Sequence, residues 1–146
     1  MKRTSLIAAF ALTACLVITG CSSLNHLPTN TSGGIFSLNG KWSLTTTTDN
    51  NAEIATVIVV LPIIGEGSAK TLANNTYCYR EGDVVWKSIK SLTAGGFSLS
   101  QLAGACNGTT TYKDATLVIE NNDLVKINSQ TMVGTALIQE WKRVSN

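Results

Sequence analysis

From residue 35 onward, the chain alternates between short runs rich in Thr, Val and Ile and short clusters of turn residues. The most apolar of these runs is Ala55–Ile64, ATVIVVLPII, in which β-branched residues predominate. It is too short to cross a bilayer as a helix, which needs about 20 residues, so we expect a buried strand that ends near Pro62. This pattern favours an all-β domain.

The clearest hairpin is Ala115–Asn128, whose two β-rich arms flank Asn121-Asn122-Asp123. Asn and Asp tolerate the positive φ angles that tight hairpin turns require. Four further segments are predicted as strands, namely the Thr-rich segment around Trp42, then Thr76–Tyr79, Val84–Ser88 and Val133–Val144. Strands in this order, joined by short turns, indicate an antiparallel meander.

One segment, Ser98–Ala105, is predicted to form a short helix. Ser98 and Gln101 stand in capping-box spacing, and Gly104 could end the turn. The meander could close as a barrel or fold as a β-sandwich, and an α+β fold is a third, less favoured alternative. A single domain over 35–146 is large enough to bury a core of its own.

The N-terminus has the features of a secretory signal peptide. Lys2 and Arg3 precede an apolar run, Leu6–Ile18, that is shorter than the roughly 20 residues of a membrane-spanning helix. Small residues follow at Thr19 and Gly20. We therefore expect residues 1–20 to be removed rather than to form a buried N-terminal helix.

The tetrapeptide Ile18-Thr19-Gly20-Cys21 resembles the lipobox of bacterial lipoproteins. The resemblance implies a diacylglyceryl thioether on Cys21, cleavage before it, and acylation of the new amino terminus by a fatty acid such as palmitate. Several acyl chains anchor firmly, since each buried methylene contributes about 0.8 kcal/mol. It also implies that Ser22, which is not Asp, directs the protein to the outer membrane, where we expect it to face the periplasm.

Residues 21–34 then form a polar stretch with Pro28 and a Gly pair, which is typical of a flexible tether. Such a segment averages about 20 Å from end to end. The folded domain should therefore stay near the membrane without being embedded in it.

Charge argues against nucleic acid as a partner. Two of the eleven Lys and Arg residues, Lys2 and Arg3, lie in the signal region, and the remaining nine balance the nine Asp and Glu residues. The mature chain is therefore formally neutral and carries no basic block of the kind that binds phosphates.

Two of the four cysteines, Cys78 and Cys106, remain once Cys15 is removed and Cys21 is lipidated. The periplasm oxidises thiols, so a leftover pair in an exported domain is expected to form a disulfide. A redox or metal-binding pair is the alternative, but the spacing differs from C-x-x-C and no histidine stands beside either residue.

Gly40-Lys41-Trp42 and Arg143 are similar to a feature of lipocalins and of smaller bacterial lipocalin-like domains. In that family an arginine of the last strand lies across the tryptophan of a G-x-W motif on the first strand. The resemblance implies an antiparallel meander barrel in which Arg143 stacks on Trp42 and the first and last strands pair.

The sequence contains no recognisable catalytic or metal site. The one histidine, His26, lies in the tether, which excludes a histidine-dependent triad or zinc site in the domain. The segment Asp49–Glu53 lacks the spacing of a calcium loop and is predicted to be a hairpin tip. We therefore expect neither enzymatic activity nor a cofactor.

Two functions remain open. The first is a binding barrel whose lumen takes a hydrophobic or lipid-like ligand. The second is an accessory protein that docks another envelope protein, in assembly, in secretion or as an enzyme inhibitor. A lumen large enough for a ligand would favour the first, and a filled interior with an exposed apolar or aromatic patch would favour the second.

Overall fold

The structure, a computed structural model, describes residues 36–145, which form eight strands and two short 3₁₀ turns. The strands are β1 (Gly40–Thr47), β2 (Val57–Leu61), β3 (Glu66–Thr71), β4 (Val84–Ser91), β5 (Phe97–Gly104), β6 (Thr111–Asn121), β7 (Leu124–Gln130) and β8 (Ala136–Val144). The 3₁₀ turns span Pro62–Ile64 and Cys106–Gly108. The predicted signal peptide, lipidated Cys21 and tether lie outside the described residues.

The eight strands form one closed antiparallel barrel in which each strand pairs with the next one in the sequence. Closure occurs between β1 and β8, with Lys41 opposite Val144 and Trp42 opposite Arg143. Pairing the first strand with the last removes the exposed sheet edges that an open meander would have. The predicted all-β meander barrel is thus confirmed, and the sandwich and α+β alternatives are wrong.

The helix predicted at Ser98–Ala105 is wrong, because this segment belongs to β5. Phe97, Leu99 and Gln101 point into the barrel, whereas Ser98 and Ser100 point outward. This alternation follows the two-residue period of a strand. Pairing with β6 along the length of β5 outweighs the weak local preference of the capping box.

The strands around β3 also differ from the prediction. Residues 76–79 lie in the β3–β4 connection, where Cys78 has a φ of 60°, incompatible with an extended strand. The strand β3 itself, EGSAKT, was not predicted, because Thr71 is its one β-branched residue. A Cβ at its inward-facing Gly67 would lie 3.1 Å from Val60 and 3.4 Å from Trp86, so a larger side chain has no room.

Side chains occupy the interior of the barrel. The largest fully buried ones are those of Trp42, Trp86, Trp141, Leu38, Leu44, Ile58, Leu102, Leu117, Ile127, Leu137, Gln101 and Gln139. The rings of Trp86 and Trp141 meet edge to face, with their centroids 5.1 Å apart. A small eight-stranded barrel can be filled in this way by its own residues.

We call the end where β1 begins and β8 ends the bottom, and the opposite end the mouth. The β2–β3, β4–β5 and β6–β7 connections lie at the bottom. The mouth carries the β1–β2, β3–β4, β5–β6 and β7–β8 connections. Within residues 36–145, no helix is both long and apolar enough to cross a membrane.

Candidate functional site

The bottom of the barrel is closed by Arg143. Its guanidinium carbon lies 4.3 Å from the centre of the Trp42 ring, within the range of a cation–π contact. Nη1 donates to the carbonyl of Asn39 and Nη2 to that of Ser37, each at 2.7 Å. Nε donates to the carbonyl of Asn122 at 2.9 Å. The structure thus brings together Trp42 and Arg143, the two side chains of the lipocalin resemblance.

The segment before β1 lies across this bottom. The ring of Phe36 sits 6.2 Å from both Trp42 and Phe97, measured between ring centroids, so it bridges β1 and β5. The buried indole Nε1 of Trp42 donates to the carbonyl of Leu38 at 2.9 Å. The described chain therefore enters the domain at the bottom and seals it.

Gly40 of the G-x-W motif has a backbone requirement of its own. Its φ is +126°, a conformation that residues with a Cβ rarely adopt. A Cβ here would also lie only 3.1 Å from Nη1 of Arg143. The glycine thus lets the backbone turn into β1 while the guanidinium stays close to it.

A disulfide holds the mouth. Cys78 of the β3–β4 connection joins Cys106 of the β5–β6 connection, with Cα atoms 5.0 Å apart, which confirms the predicted pair. Beside it, the amide of Ala105 donates to the carbonyl of Tyr77 at 2.8 Å. The Tyr79 hydroxyl, which is buried, donates to the carbonyl of Leu102. The β3–β4 connection is thus fixed over the mouth as a plug, which we define as residues 72–83.

The plug rests on a buried carboxylate that sequence reasoning missed. Glu53 is 1% exposed, and its Oε1 accepts the amide hydrogen of Tyr77 at 2.9 Å. Its Oε2 accepts from the Thr56 hydroxyl at 3.3 Å. Burial raises the pKa of Glu53 above its ordinary value, and these hydrogen bonds only partly oppose that rise.

The segment Asp49–Glu53 was predicted as a hairpin tip and lies in the β1–β2 connection, but no local signal marks Glu53 as buried. Glu53 has a φ of 61°, so the chain turns its side chain inward beneath the plug. The hydroxyl of Tyr77 donates to Oδ2 of Asp49 at 2.5 Å, which ties the β1–β2 connection to the plug a second time. Burial of Glu53 results from contact between two connections that are distant in sequence.

A small polar cluster lies inside the barrel. Nε2 of Gln101 donates to Oε1 of Gln139 at 2.5 Å, and the same oxygen accepts from Nε1 of Trp141 at 3.2 Å. Nε1 of Trp86 and Oε1 of Gln101 are buried without a hydrogen-bond partner among the described residues. Buried groups of this kind are commonly paired through an internal water molecule.

Two adjoining open depressions of about 420 and 540 Å³ mark the outer wall across β4 to β7. We call them together the wall groove. Small polar side chains line much of it, because Ser98 pairs with Thr116 and Ser100 with Asp114 on the outward face. The remaining lining residues are Ser88, Lys90, Leu99, Tyr112, Lys113, Ala115, Asn128, Ser129 and Gln130.

In residues 36–145, no group of three or more His, Cys, Asp and Glu side chains is placed to hold a metal ion. Comparison with family models, with curated proteins and with solved structures found no match.

Proposed function

We propose that the protein is a lipid-anchored, non-enzymatic docking protein of the bacterial envelope, held at the outer membrane through Cys21 and facing the periplasm. The observation that carries the proposal is the filled barrel interior beneath a disulfide-fixed plug. A domain built in this way presents its outer surface rather than its lumen to other molecules.

A hydrophobic ligand in the lumen is the less well supported alternative. Three fully buried tryptophans occupy the space such a ligand would need, and the Glu53 and Tyr77 contacts hold the plug above them. Entry would require the plug to open and the indole rings to move. Protein interiors are packed closely, so such a rearrangement is costly.

The wall groove is the surface we assign to docking. It combines the short hydroxyl side chains of Ser98 and Ser100 with charges of both signs, from Lys90 and Asp114. This chemistry suits a polar segment of a partner protein, bound by hydrogen bonds and interfacial water. A groove lined by such groups does not suit a lipid chain.

Pull-down of the lipidated protein from envelope membranes, followed by mass spectrometry of proteins and lipids, tests the proposal. Ser100→Arg places a bulky side chain in the groove, and Ser43→Arg is its matched control on the outward face of β1. Both serines are half-buried strand residues, so the two variants should fold alike. We expect Ser100→Arg to lose a partner protein that the wild type and Ser43→Arg retain.

The opposite results are equally clear. Co-purification of one lipid species in stoichiometric amount, with no protein lost from Ser100→Arg, would favour the ligand-binding alternative. Equal recovery of every protein by both variants would rule out the wall groove as the docking surface.

A further inference from the structure

The connection between β2 and β3 exposes three large apolar side chains side by side. Leu61 is 47% exposed, Ile63 96% and Ile64 62%. We call residues 61–64 the apolar turn. Ordinary folding does not explain such a cluster, because each of these side chains would be more stable out of water.

Backbone geometry presents the apolar turn in a defined shape. Pro62 begins a 3₁₀ turn, which ends when the amide of Gly65 donates to the carbonyl of Pro62 at 3.0 Å. Gly65 has a φ of 71°, and its carbonyl accepts from the amide of Ile89 on β4 at 3.0 Å. The isoleucines are therefore held outward by structure on both sides.

The apolar turn lies at the bottom of the barrel, because Val60, the residue before it, pairs with Gly40 at the start of β1. Phe36 and Leu38 cross this same end, so the tether from Cys21 arrives there. A tether of this length averages about 20 Å, which brings the bottom within reach of the anchoring bilayer. The apolar turn is thus on the side of the domain that is nearest the lipid.

Two connections at the bottom of the barrel lack charged residues, which is compatible with contact with a lipid surface. The segment from Leu61 to Gly65 contains no ionisable residue, and neither does the β4–β5 connection, Leu92–Gly96, at the same end. The Arg143 side chain, 26% exposed at the bottom, pairs with Asp123 at 3.6 Å and donates to backbone carbonyls. The apolar turn itself therefore brings no charged group that would have to lose water on contact with the membrane.

We propose that the apolar turn inserts Ile63 and Ile64 into the interfacial region of the bilayer that holds the lipid anchor. This inference rests on the proposed lipidation of Cys21. The anchor holds the turn at a high effective concentration near lipid, so a contact too weak to bind alone becomes effective. Anchor and turn together orient the domain with its mouth pointing away from the membrane.

The test uses the full lipidated protein in vesicles of phosphatidylethanolamine and phosphatidylglycerol. An environment-sensitive fluorophore is attached to Ile63→Cys or, as the control, to Val133→Cys. Val133 is 89% exposed in the β7–β8 connection at the mouth, and Ile63 is as freely exposed, so neither substitution disturbs the core. Cys78 and Cys106 are joined and Cys21 carries lipid, so only the new thiol reacts.

We expect the Ile63 probe to shift to shorter wavelength and to be quenched by lipids with a nitroxide near the headgroup. The Val133 probe should remain water-like. If both probes are water-like on protein that still floats with the vesicles, insertion is wrong while the anchor stands. If the unaltered protein fails to float, the lipid anchor and this inference both fail.

Discussion

Arg143 and Trp42 face each other across the seam where β8 meets β1, with the guanidinium carbon 4.3 Å from the indole centre. The same guanidinium donates to three backbone carbonyls on two other segments of the bottom. One side chain thus connects the entering chain, the first strand and the β6–β7 turn.

The first prediction concerns coupling across this seam. Trp42→Ala should lower the free energy of unfolding by about 3–5 kcal/mol, because it removes a fully buried aromatic ring. Arg143→Ala should lower the free energy of unfolding by less than Trp42→Ala does. Urea unfolding of both variants and of the double variant should give a coupling energy of roughly 0.5–3 kcal/mol, as for residues in contact. Strictly additive losses would show that the stacking contributes no stability.

The second prediction concerns the disulfide at the mouth. Replacing Cys78 and Cys106 together by serine should lower the free energy of unfolding by about 3–4 kcal/mol in the chain-entropy model. Hydrogen exchange should accelerate more in the plug, residues 72–83, than in β1 and β8, whose slowest amides should accelerate only by the global loss of stability. Uniform acceleration over the whole barrel would contradict the idea that the disulfide acts locally on the plug.

The third prediction concerns pH. Burial raises the pKa of Glu53 above its ordinary value of 4.5, so the folded protein holds this proton more tightly than the unfolded chain does. The contribution of Glu53 to stability should therefore fall as pH rises from 4.5 to the raised folded value, and be constant above it.

Glu53→Gln should abolish that slope, since the amide oxygen can still accept from the Tyr77 amide but carries no charge. Denaturant unfolding at a series of pH values measures this pH dependence of the free energy of unfolding. Glu81→Gln, at an exposed turn, is the control and should keep the wild-type slope. A slope that persists in Glu53→Gln would mean that another group is responsible.

The fourth prediction concerns the anchor. Cys21→Ala should leave an uncleaved or mislocalised precursor, because it removes the thiol that we propose as the acceptor of the diacylglyceryl group. Metabolic labelling with a fatty-acid probe should then mark the wild type and not the variant. Labelling that persists in Cys21→Ala would contradict the lipoprotein interpretation.

Sequence patterns predicted the parts of this fold whose own residues carry the signal. The β-branched run before Pro62 and the Asn-Asn-Asp hairpin became β2 and the β6–β7 turn. The cysteine count predicted the disulfide. In contrast, β3 packs against neighbours that leave no room for a side chain at Gly67, and β5 is stabilised by pairing with β6. Neither cause is apparent from the residues of the strand itself, so neither strand was predicted.

The candidate site likewise contains some residues that a motif predicts and others whose role depends on tertiary contacts. Gly40, Trp42 and Arg143 were singled out because a motif marks them. Burial of Glu53 depends on two connections that meet only in the folded barrel, and the wall groove depends on four strands lying side by side. Both features arise from contacts between segments distant in sequence, so no local sequence pattern predicts them.

The central claim, docking through the outer wall of a filled barrel, is tested most directly by site-specific photo-crosslinking in living cells. A photoreactive amino acid replaces Ser100 in the wall groove or Ser43 on the opposite wall, in the full lipidated protein. We expect one discrete protein adduct from position 100 and none from position 43. Identical patterns from both positions, or no protein adduct from position 100, would contradict it.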